Sequence, residues 1–66
     1  MTGVIKQLKE NRFGFIKVKG QDKDIFFHVS GLNPNMQWEE LKIDQRVQFE
    51  LEDTPKGKKA VDISPV

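Results

Sequence analysis

Arg12-Phe13-Gly14-Phe15-Ile16-Lys17-Val18 is the stretch from which the rest of the chain follows. In an extended strand, successive side chains point to opposite faces. Phe13, Phe15 and Lys17 then share one face, and Gly14, Ile16 and Val18 share the other. The second set can bury itself; the first presents two phenyl rings and an ammonium to water. A later run, Ile25-Phe26-Phe27-His28-Val29, repeats the pattern, with Ile25, Phe27 and Val29 on one face and Phe26 and His28 on the opposite one. Two strands with apolar backs and aromatic-basic fronts form a stacking platform beside cations, an arrangement suited to single-stranded nucleic acid.

Composition narrows the alternatives. Sixty-six residues predict one domain near the lower limit for independent folding. The chain has no cysteine and one histidine, so disulfides and thiolate metal sites are excluded and no cofactor is expected. Stability must come from a compact core, and a closed barrel supplies one while leaving few open strand edges. No apolar run approaches the roughly 18 residues of a membrane span, and the N-terminus lacks the apolar stretch of a signal peptide. The expectation is a soluble, cytoplasmic, monomeric protein without a membrane partner. The net charge of +1 hides segregation: residues 1–23 hold six Lys/Arg and two acids, residues 24–53 two and seven, residues 54–66 three and one. If both ends fold onto one sheet, the aromatic strands gain a positive field.

Outward from the two aromatic runs, Gly3 to Lys9 is β-rich and predicts a first strand, with adjacent Val4 and Ile5 breaking strict alternation as at a bend or bulge. Residues 9–12 make a hairpin loop, and residues 19–23 a turn in which Gly20 can take positive φ. Ser30 to Lys42 is the longest irregular stretch, broken by Pro34; Leu32, Trp38 and Leu41 predict that it folds back onto the barrel. Val47, Phe49 and Leu51 point inward from a fourth strand, with Gln48, Glu50 and Glu52 outward. Pro55 and Gly57 build a turn, and a fifth strand from about Lys59 to Ser64 directs Val61 and Ile63 inward. Five short strands with a long connection between the third and fourth predict an all-β, five-stranded antiparallel OB-fold barrel.

At the level of motifs, the chain resembles the bacterial cold-shock proteins over nearly its whole length. The family's Lys-Gly-Phe-Gly-Phe-Ile motif corresponds to Asn11-Arg12-Phe13-Gly14-Phe15-Ile16, and its Val-Phe-Val-His motif to Ile25-Phe26-Phe27-His28. The late Lys56-Gly57-Lys58-Lys59-Ala60 turn also fits. The resemblance implies a single cold-shock-like OB domain over residues 1–66 that binds single-stranded RNA or DNA, as an RNA chaperone or a regulator of transcription or translation. It implies base stacking on Phe13, Phe15, Phe26 and His28, a loop aromatic at Trp38, and strand contacts from Lys6 and Lys56. Trp38 can instead cap the barrel. Lys17, Lys56, Lys58 and Lys59 are either solvated charges or phosphate contacts.

The first strand diverges. Where the family usually carries Lys-Trp-Phe-Asn, this chain has Lys6-Gln7-Leu8-Lys9, so the tryptophan is absent. Val29 stands where many members carry another exposed aromatic. The loop before Phe13 is one residue shorter: either Arg12 takes the place of the motif's glycine, or the glycine is deleted and Arg12 is the basic residue, the alternative preferred because it keeps a cation beside Phe13. A second function class is a protein-interaction module, a small barrel whose aromatics take a proline-rich peptide. No paired acids, activated nucleophile or metal cluster is legible, so catalysis is not expected.

Overall fold

The computed structural model describes residues 1–66 and has five strands: β1 Thr2–Lys9, β2 Phe13–Lys17, β3 Ile25–His28, β4 Arg46–Thr54 and β5 Gly57–Pro65. The sheet closes on itself in the order β1-β2-β3-β5-β4, with β4 returning to β1. All contacts between neighbours are antiparallel except β3 with β5, which is parallel and short, pairing Phe26 with Lys59 and Phe27 with Ala60. The expected barrel is therefore antiparallel in four of its five seams.

The core is formed by the residues that alternation sends inward. Ile5, Ile16, Ile25, Phe27, Val47, Phe49 and Ile63 are buried, and no polar side chain is buried with them. The long connection supplies Met36 and Leu41 to the same cluster, with Leu32 and Trp38 packed against it. It holds two short 3₁₀ turns, Val29–Gly31 and Trp38–Glu40, and folds back as expected.

Three local features depart from simple alternation. In β1 the register with β2 shifts between Ile5 and Gln7, so the bulge falls at Lys6, one position after the Val4-Ile5 pair that announced it. In β5 the register with β4 shifts between Gln48 and Glu50, and Asp62 sits at φ 52. That extra residue turns β5 over: Ala60 and Ile63 are buried while Val61 is only half-buried, so Val61 does not take the inward place that alternation gives it. β3 ends at His28, and Val29 opens a 3₁₀ turn, half-buried, rather than extending the inward row of Ile25 and Phe27.

Candidate functional site

Strand pairing brings the outward aromatics together. Phe13 lies opposite His28 and Phe15 opposite Phe26 across the β2–β3 seam. Paired residues share a face and stand close enough for side-chain contact. The ring centroids of Phe13, Phe15 and Phe26 are 5.8 to 6.3 Å apart, a mutually touching triangle on the outer surface. Phe13 and Phe15 are half-buried by each other and their surroundings, and Phe26 is 38% exposed, large for a phenyl ring in so small a protein. Phe13 meets Phe15 at 83° and Phe15 meets Phe26 at 69°, while Phe13 and Phe26 are inclined by only 36°, so Phe15 turns its face away from the other two. A planar group laid on Phe15 must splay apart from one laid on Phe13 or Phe26.

The backbone beneath explains why the rings stand outside. Gly14, between Phe13 and Phe15, is buried and paired with Phe27. A β-carbon there would collide with the Gln7 carbonyl oxygen and come within 2.9 Å of the Phe27 ring. Phe27 fills the space below Gly14, and its neighbour Phe26 is sent to the opposite face. His28 is exposed; its Nδ1 accepts the Ser30 backbone N–H at 3.2 Å and lies 3.0 Å from Ser30 Oγ. That local contact engages Nδ1, and no protein partner engages Nε2.

Cations ring this surface. Lys17 continues the Phe13–Phe15 row and is exposed. Arg12 ends the β1–β2 loop at φ 61, the left-handed region where glycine is at ease. Of the two loop alignments, the conformation favours Arg12 in the glycine's place, against the preferred deletion, while its cation still neighbours Phe13. Lys56 and Lys58, with Lys59, line a groove of about 360 Å³ against Phe26. Lys6 is less free, since its ammonium lies 3.6 Å from Asp44. Trp38 is not among the rings of the outer cluster: it packs half-buried on Phe27, with centroids 6.0 Å apart, and so fills the capping role.

Two residues, Lys9 and Gln7, join the site that sequence reasoning did not place there, and Lys59, left open by it, joins them. Lys9 pairs with Phe13, Gln7 with Phe15, and Lys59 with Phe26. Lys9 was within reach, because a hairpin loop of residues 10–12 sets it opposite Phe13. Lys59, on sequence grounds either a solvated charge or a phosphate contact, arrives through the parallel β3–β5 contact, which no local pattern announces; it also pairs with Glu52 at 3.6 Å.

Comparisons with known proteins fit this geometry. The family model described as the 'Cold-shock' DNA-binding domain matches residues 1–66. Cold shock-like protein CspI of Escherichia coli K12 is 41% identical over 64 residues, covering 96% of this chain and 90% of its own. Cold shock-like protein CspD of Haemophilus influenzae is 38% identical over 65 residues, covering 97% and 89%. Among solved structures, Drosophila Unr CSD456 superposes with a TM-score of 0.78 at 26% identity; the match covers 98% of this chain and 26% of that one.

Proposed function

This chain belongs to the 'Cold-shock' DNA-binding domain family, and on that footing we propose that it binds single-stranded RNA or DNA by laying unstacked bases on Phe13, Phe15, Phe26 and His28. The observation that carries this reading is the triangle of three phenyl rings held outward on β2 and β3. An exposed aromatic cluster costs solubility and gives a small fold little in return unless something covers it. Each stacked base contributes about 1–3 kcal/mol. Three or four platforms therefore support binding near the micromolar range, about −8 kcal/mol, once the strand's ordering cost is met. Lys9, Arg12, Lys17, Lys56, Lys58 and Lys59 supply positive charge around the rings for phosphates.

Every base has a π face, so this mechanism tolerates sequence; a duplex hides those faces, so it rejects double strands. The chain acts as a single monomeric OB-like domain in the cytoplasm, holding strands open by mass action in the manner of an RNA chaperone or regulator. The peptide-binding alternative gains no support from the site, where lysines rather than acidic side chains pair with the rings.

Fluorescence anisotropy with a labelled oligothymidylate and its duplex tests the proposal. Single-strand binding that weakens with salt, and a duplex bound far less well, is the expected result. Equal affinity for both, or none for either, removes it.

A further inference from the structure

We propose that Lys17, Lys19 and Arg46, grouped around Val4 on the outer face of β1, form a second cationic strip that carries a single-stranded nucleic acid onward from the phenylalanine cluster. This inference rests on the reading that the cluster takes bases. Val4 pairs with Lys17 on one side and with Arg46 on the other, which aligns the three side chains in one row across β2, β1 and β4. The next pair, Ile5 with Ile16, is fully buried, so the Val4 row points outward. With Lys19 these residues line an open groove of about 330 Å³ to which no acidic residue contributes. None of the three cations is in an ion pair; the two salt bridges of the chain use Lys6 and Lys59. Half-buried Val4 gives the groove an apolar floor.

Position decides the occupant. Lys17 follows Phe15 by two residues on the same face, about 7 Å along the strand, and Arg46 lies two strands over, about 10 Å. A chain leaving Phe15 across Lys17 toward Arg46 therefore covers ground for about two or three more nucleotides, given the 3.4 Å stacked rise and the longer spacing of an unstacked strand. No aromatic side chain lines this groove, so the contacts are to phosphate, indifferent to base and sensitive to salt. The strip lengthens the site without adding a base platform.

The experiment compares a five-nucleotide with a nine-nucleotide oligothymidylate, titrated into the wild-type chain, the Lys19→Ala/Arg46→Ala double variant and Phe15→Ala, from about 50 to 300 mM salt. Lys19 and Arg46 are both exposed, so thermal unfolding of the double variant should match wild type. The wild-type chain is expected to bind the longer strand about tenfold or more tighter; the double variant keeps wild-type affinity for the shorter strand. On the longer one it retains only the few-fold gain that multiple registers give, and its salt slope is shallower by about 1.4, the value for two phosphate contacts on a single strand. Unchanged affinity and slope in the double variant, with Phe15→Ala weakening both lengths, overturns the strip and leaves the stacking reading standing. Loss of the length gain in the double variant with no effect of Phe15→Ala overturns the stacking reading, and with it the strip as a continuation of the cluster. If wild type binds neither strand, both fall; if the double variant loses binding only to anionic phospholipid vesicles, the strip belongs to a membrane surface and this proposal fails.

Discussion

Gly14 lies against the ring of Phe27, so close that a β-carbon at position 14 would stand 2.9 Å from two ring atoms and strike the Gln7 carbonyl. This contact couples the core to the outer aromatic face, because Gly14 separates the two outward rings of β2 and Phe27 is the buried neighbour of Phe26. Gly14→Ala must push either the β1–β2 seam or the Phe27 ring aside. Overpacking of this kind costs about 1–3 kcal/mol, and in a domain of this size each kilocalorie lowers Tm by about 4–8 °C. Differential scanning calorimetry should show that loss; an unchanged Tm would mean that the interior yields without cost.

Adjacent residues Phe26 and Phe27 should give opposite phenotypes. Phe27 is fully buried, and Phe27→Ala should cost about 3–5 kcal/mol, a large share of the total stability expected for a chain this short. Phe26→Ala and Phe15→Ala remove surface rings whose edge contacts are worth about 0.5–1.5 kcal/mol, so both variants should stay folded. Each should weaken single-strand binding by about five- to thirtyfold, at the lower end of a lost stacking platform. Chemical denaturation and anisotropy on the same samples separate the two effects.

The opposite placement of Phe26 and Phe27 is legible in the sequence, because they occupy a strand whose side chains alternate cleanly. The inward row of β4 was legible for the same reason. β5 was not. One residue at positive φ, Asp62, reverses the alternation midway, and the sequence around it offers no glycine to mark the place. The parallel approach of β5 to β3 was equally hidden, since it joins residues distant in sequence and places Lys59 beside Phe26. Met36 reached the core from a stretch with no periodicity, where its flexible side chain fills what the strands leave open. Trp38 could stack or cap on sequence grounds, and its contact with Phe27 shows that it packs on the core.

Arg12 combines a strained backbone with a useful charge. A non-glycine residue in the left-handed region costs about 1–2 kcal/mol, partly offset because glycine gains more freedom in the unfolded chain. Arg12→Gly should therefore stabilise the fold by up to about 1 kcal/mol. The same change removes a cation next to Phe13, and nucleic-acid affinity should drop about two- to fivefold with a salt slope shallower by about 0.7. A variant that gains stability and keeps its affinity would exclude Arg12 from the interface.

Lys6, a predicted contact, is held by an acid, its ammonium 3.6 Å from Asp44. Both side chains are well exposed, at 43% and 75%, so the pair contributes little to stability. Asp44 itself sits at φ 71, a conformation that asparagine also tolerates. Asp44→Asn thus releases the Lys6 ammonium while keeping the turn, and the melting temperature should barely move. With the competing carboxylate gone, single-strand affinity near 50 mM salt should rise by about twofold or more, and the advantage should fade as added salt screens exposed charges. In the Lys6→Ala background the substitution should lose most of this gain. If Asp44→Asn raised affinity equally with and without Lys6, the acid would be acting through the general field of the surface and not by sequestering a phosphate ligand.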